Sequence, residues 1–240
     1  MKNDVELIKV PVSVGLGTLD ISFDLPVPLY RTENDTTPMD TLTFERSASG
    51  EWLYKTNRLT LNPYQMSEGD SDERSNEHIH MGLVCFPPVL SFRVVEADEH
   101  YWRVVVDESC FETLVIHKNP DYAVVAQRSG LFGDIDLPKD KPYKGYFAYE
   151  TWEHLLQRAE FVNFQDNYTV YDAPEGKKIF EGTSRESLPY SVTEVLGDWM
   201  KVAKGLGREG YFEGIKNAEG WVKWKNETEI LVRIVEYTVE

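Results

Sequence analysis

The chain has 240 residues, 41% of them hydrophobic and 12% aromatic, and a formal net charge of -16. That is ample apolar material for a packed core, which excludes disorder along the whole length. The acidity excludes nucleic acid as a partner, because the long-range field repels it, and it favours solubility and a basic protein partner.

The length suits two domains. Cys85 and Cys110 lie in no CxxC pair, which excludes a zinc knuckle and leaves either one disulfide or two buried thiols open. Near the N-terminus, Asp4, Glu6 and Lys9 interrupt any signal-like apolar run. No stretch approaches the roughly 20 apolar residues of a membrane helix. The expectation is no membrane insertion and a cytoplasmic location by default, or a periplasmic or cell-surface one if an export signal has been removed.

Strand signals dominate. Residues 5–15 and 19–24 alternate apolar and polar side chains, and short strands follow near 27–31, 41–44 and 51–61. The polar stretch 67–77 reads as a solvated loop. Residues 79–85 and 90–96 read as strands. Tyr101–Glu108 and Glu112–Lys118, rich in β-branched and aromatic residues, are the clearest ones. The one helix predicted is 151–161, with Thr151 as N-cap, Glu153 in the first turn, and Trp152, Leu155, Leu156 and Ala159 on one face. It closes an N-terminal domain of residues 1–163, and 162–168 reads as a linker. Short strands at 169–173, 177–180, 190–196, 198–203 and 220–225, with a last run at 229–240, are the pattern of a small barrel. The fold class expected is therefore mainly β, with a barrel over 168–240.

Gly197-Asp198-Trp199-Met200-Lys201-Val202 and Glu219-Gly220-Trp221-Val222-Lys223-Trp224 resemble late strands of the bacterial SH3-like (SH3b) domain family. Residues 170–179 resemble that family's first strand and arm, and 190–195 its central strand. The look is that of the two-domain SH3-like proteins of Bacteroidetes. The resemblance implies a binding module and covers less than a third of the chain. Residues 204–219 depart from it, being longer and more aromatic than the usual turn. A fainter resemblance is internal: 94–108 can be laid over 191–205 with Trp102 on Trp199, 112–119 over 219–226, and 28–34 over 169–175. It implies that the N-terminal region is a degenerate second barrel with insertions.

Side chains alternate along a strand. Lys201 and Lys223 cannot enter a dry interior unpaired, so Met200, Val202, Val222 and Trp224 are expected inside and Trp199 and Trp221 outside. Tyr171, Tyr190, Tyr211 and Phe212 are close in sequence to these strands. Trp199, Trp221, Tyr171, Tyr190 and Tyr211 are the candidate ligand-binding residues, for a peptide or protein, or for peptidoglycan or another glycan if the chain is exported.

His78 and His80 could share one strand face beside Asp72 and Glu77, but such a pair is more often two solvated histidines beside a loop, and no metal or other cofactor is expected. There is no HExxH, no Gly-rich phosphate loop and no GxSxG. Cys110, with His100 or His117, is the one opening for a thiol hydrolase, since each cysteine otherwise reads as a buried strand residue. The expectation is a non-enzymatic binding or scaffolding protein. The alternatives are a cell-wall or glycan binder and an acidic, inhibitor-like protein that masks a basic partner.

Overall fold

The computed structural model describes residues 8–22, 25–48, 52–67, 89–125, 138–140, 142–164, 167–183, 189–204 and 219–235. The chain is mainly β with one short helix, and it divides after Thr151 into two compact units.

The N-terminal unit contains β1 (Ile8–Lys9), β2 (Gly17–Ile21), β3 (Val27–Leu29), β4 (Asp40–Arg46), β5 (Trp52–Lys55), β6 (Gln65–Ser67), β7 (Val89–Ala97), β8 (Tyr101–Asp107), β9 (Glu112–His117), β10 (Tyr122–Val125) and β11 (Gly145–Thr151). Its main sheet has the order β1-β9-β8-β7-β2-β11-β10, with β6 also paired to β7, and β3-β4-β5 form a separate small sheet. Only β10 and β11 run parallel among these pairs. The two-residue period puts Trp102 and Val104 of β8, Phe92 of β7, Leu19 of β2, Leu114 of β9 and Phe147 of β11 into one core, none more than 1% exposed. Trp102 packs tilted on Phe147 at 5.2 Å.

The C-terminal unit contains helix α1 (Trp152–Arg158), β12 (Phe161–Phe164), β13 (Tyr168–Tyr171), β14 (Lys178–Gly182), β15 (Tyr190–Leu196), β16 (Trp199–Lys204), β17 (Gly220–Lys223) and β18 (Val232–Val235). One sheet runs β14-β13-β17-β16-β15-β12-β18. Helix α1 buries Trp152, Leu155 and Leu156 and packs against β15. Gly197 takes φ +58° at the first position of the two-residue β15–β16 turn, a conformation glycine adopts without steric cost.

The two units share one strand frame. The order β11-β2-β7-β8-β9 in the first matches β18-β12-β15-β16-β17 in the second, antiparallel throughout. The register matches as well. A bulge lies between Val94 and Glu96 of β7, and another between Val192 and Glu194 of β15. Arg103 stands opposite Glu96 as Lys201 stands opposite Glu194. On the next strand, Val115 faces Arg103 and Trp221 faces Lys201. Each then pairs with a tyrosine from an arm strand or its end: Tyr30 with Val115, Tyr171 with Trp221. The strand order thus repeats; the overlay of 28–34 on 169–175, with Tyr30 on Tyr171, is in register, and those of 94–108 and 112–119 are one residue out. Trp102 corresponds to Met200, both fully buried, and Tyr101 corresponds to Trp199. A one-residue slip exchanges the two faces of a strand, so laying tryptophan on tryptophan matched an inner side chain with an outer one.

Other expectations shift. Residues 162–168 are not a linker: Phe161–Phe164 pairs with both β15 and β18, which brings α1 and β12 into the C-terminal unit. Helix α1 stops at Arg158 because the chain is extended again from Phe161. Of the first predicted strand only Ile8–Lys9 is extended among the described residues. Strands β10 and β11 were not foreseen. The polar loop at 67–77 and the strand at 79–85 lie almost wholly outside the described residues.

Candidate functional site

The alternation argument places the side chains on the expected faces of β16 and β17. Met200, Val202, Val222 and Trp224 are buried within, while Lys201 and Lys223 are exposed. Directly opposed residues share a face. Trp199 lies opposite Lys223, Lys201 opposite Trp221, and Trp221 opposite Tyr171. The two indoles and Tyr171 therefore stand on the lysine side of the sheet.

They do not form an open platform. Trp199 and Trp221 are each only 9% exposed. Tyr171 meets Trp199 edge-on, with ring centroids 5.2 Å apart at 88°, and the Lys223 ammonium lies 5.4 Å from the Trp199 ring centroid. Alternation fixes the side of a sheet, not what lies upon it; here β13 pairs with β17 and carries Tyr171 onto that side. Tyr190 is a clearer correction. It is fully buried, and its hydroxyl hydrogen-bonds the Tyr168 hydroxyl at 3.1 Å, so it is a core residue closed to a ligand. Tyr211 and Phe212 lie outside the described residues.

Beside Tyr171 the C-terminal unit has a cleft of about 220 Å³. The β12–β13 corner gives Phe164, Asn167, Tyr168 and Thr169; β17 gives Val222 and Lys223; Leu231 leads into β18. Phe164 and Tyr168 stack at 3.9 Å and make one firm wall. Burial pushes the Tyr168 phenol up, against the opposing hydrogen bond with Tyr190, so it stays protonated near neutral pH. Gly220 lets the end of β13 lie close against β17: a Cβ there would come 2.5 Å from the Tyr171 carbonyl oxygen and 2.8 Å from Val170 Cγ1. The N-terminal unit has Leu114 at the matching position.

The chemistry of the lining is one-sided. The described residues that line it include no carboxylate. Among the described residues Lys223 has no carboxylate partner, and its ammonium faces only the Trp199 ring. At the matching place in the N-terminal unit, Tyr30 stacks flat on His117 at 4.2 Å, and Arg103 is held by Glu33 and Glu96, each at 3.0 Å. Sequence reasoning missed Asn167, Thr169 and Lys223 as a group. Lys223 served only to orient Trp221, and nothing in the spacing tied it to a corner some fifty residues earlier.

Cys110 is a free thiol, exposed in the turn between β8 and β9 rather than buried in a strand. Burial first, then the hydrogen bond and charge of Asp107 and the charge of Glu112, push this thiol up, the opposite of nucleophile activation. His117 ends β9 and His100 sits in the β7–β8 turn; each is separated from the Cys110 turn by roughly 17 Å of strand. Asp107, Cys110 and Glu112 bring one potential ligand atom each within 4.8 Å of the others. His78, His80 and Cys85 lie outside the described residues.

Fold and site together define a mainly β protein of two units that repeat one strand frame, with a cleft in the second. No protein-family model, no curated protein and no solved structure matches the chain.

Proposed function

We propose that the chain is a non-enzymatic binding protein whose C-terminal unit is an SH3-like barrel that takes a peptide segment of a partner in the cleft between β13 and β17. The strand order supports the barrel reading. The Gly-x-Trp-x-x-Val and Gly-Trp-Val segments lie on adjacent antiparallel strands, and the β13–β14 arm folds back onto the second of them. The observation that carries the binding role is the partly aromatic cleft, bordered by a lysine without a carboxylate partner among the described residues, where the first unit has ion pairs and a flat aromatic stack.

The burial of Trp199 and Trp221 moves the contact surface from an indole platform to the cleft. It weakens the glycan alternative, which needs exposed aromatic faces. In this reading Trp199 supports Lys223 and Tyr171 from behind. The volume suits one residue of an extended chain rather than a larger ligand.

Panning a displayed peptide library against the intact chain tests this. Peptides should be selected that bind the natural protein and lose about tenfold or more with Tyr171→Ala, while that variant keeps its amide spectrum. Failure to select any peptide, or equal binding by a folded Tyr171→Ala protein, contradicts the proposal.

A further inference from the structure

We infer that the cleft is built for the C-terminal residue of a peptide, an apolar side chain carrying a free carboxylate beside it. This rests on the binding role proposed above and adds the chemistry of the ligand. Three observations carry it. Phe164, Val222 and Leu231 give the cleft an apolar part of its lining. Among the described residues that line it Lys223 is the one cation, there is no carboxylate, and Lys223 has no ion-pair partner. The third is the repeat itself. The residue that matches Lys223 in the first unit is His117, which lies flat against the arm's Tyr30 at 4.2 Å, whereas the Lys223 ammonium meets only the Trp199 ring among the described residues. The second unit thus has a cation where the first has an imidazole stacked on its own arm.

A lining of apolar and aromatic side chains with one cation matches an apolar terminal residue better than an aspartate or glutamate. The side chain would lie against Phe164 and Leu231, and the carboxylate would accept hydrogen bonds from the Lys223 ammonium and the Thr169 hydroxyl. The net charge of -16 works against any anion at long range, so the attraction is local to Lys223. A charge-assisted hydrogen bond of this kind changes affinity by roughly tenfold or more.

The test uses the intact, ¹⁵N-labelled chain and three probes: acetyl-Gly-Gly-Leu as the free acid, the same peptide as its C-terminal amide, and acetyl-Gly-Gly-Glu amide, which carries its carboxylate on the side chain. The free acid should shift the amide signals of Thr169, Tyr171 and Lys223 and saturate in the millimolar range or below. Both amides should bind roughly tenfold more weakly or worse. Lys223→Gln, at an exposed position, should bring the free acid down to the level of its amide without changing the fold. Lys201→Gln removes the same charge outside the cleft and should leave the preference intact. Equal binding of acid and leucine amide overturns the carboxylate inference while leaving the peptide-binding role standing. A glutamate amide that binds as well as the free acid overturns the choice of a chain terminus. Equal damage from Lys201→Gln shows a general field effect and overturns the local role of Lys223. Absence of any shift with the free acid overturns the inference outright, and it overturns the binding role too if library panning also yields nothing.

Discussion

Tyr30 and Tyr171 occupy the same place in two copies of one strand frame, yet they do different things. Tyr30 lies flat on His117, and the chain beyond it delivers Glu33 to Arg103, while Arg103 Nη1 and His117 Nε2 stay without a hydrogen-bond partner among the described residues. Tyr171 stands on edge against Trp199, the chain beyond it delivers Pro174, and a cleft remains. On the proposed reading the two copies divide their labour: the first pairs its arginine with its own carboxylates, and the second leaves a lysine for a partner.

The sharpest way to break this comparison is through the register. Trp102 is fully enclosed and corresponds to Met200, not to Trp199. Trp102→Ala should cost the N-terminal unit about 3–5 kcal/mol. Trp199→Ala, on the outer face, should cost the C-terminal unit about 1–3 kcal/mol. Amide exchange with urea denaturation can read each unit separately. Equal losses would reject the assignment of the two indoles to opposite faces.

A smaller effect concerns the charges. Arg103→Ala removes both ion pairs of a buried guanidinium, while Glu33 and Glu96 stay partly open to water, and should cost about 1–2 kcal/mol; Lys201→Ala at the equivalent position should stay within about 0.5 kcal/mol. If both variants behave alike in denaturant titrations, the contrast between the paired and the unpaired cation loses its energetic basis. Smaller again, Gly220→Ala should cost about 1–2 kcal/mol, because the new methyl meets the Tyr171 carbonyl oxygen and must push β13 from β17. The same variant should weaken selected peptides, since β13 and β17 both line the cleft.

The mildest prediction is acid sensitivity in the first unit. Burial raises the Asp40 carboxyl, but the backbone N–H groups of Asn57, Arg58, Thr41 and Leu59 outweigh it and hold the group below its ordinary 3.8. A folded pKa below the unfolded one means this stabilisation is present above the unfolded value and is lost as pH falls through the folded value. Unfolding followed from pH 6 downward, roughly the plateau for carboxylates, should show a loss that Asp40→Asn abolishes. An unchanged acid limb in that variant would show that Asp40 does not tie the small sheet down.

Much of the fold was legible because its signals are local. The meander from 190 to 223 and the hairpins from 90 to 117 carry β-branched and aromatic residues with period two, and their strands appear close to where those patterns fall. Lys201 and Lys223 correctly told which side of β16 and β17 faces out. The missing parts are those that depend on distant partners. β11 contains Gly145 and Ala148 and runs directly into α1, so nothing in its own sequence marks it as the strand that pairs with β2. Tyr190 looked like a surface aromatic until β12 and β13 brought Phe164 and Tyr168 against it. The cover on Trp199 comes from Tyr171 on another strand, which no reading of β16 alone could supply.

The most direct measurement is the residue-by-residue NMR map of the intact chain titrated with a library-selected peptide. Shifts gathered on Asn167, Thr169, Tyr171 and Lys223, with Tyr30, Arg103 and His117 unmoved, are the predicted result. Shifts centred on the first unit's Tyr30–Arg103 face, or spread evenly over both units, would contradict the account.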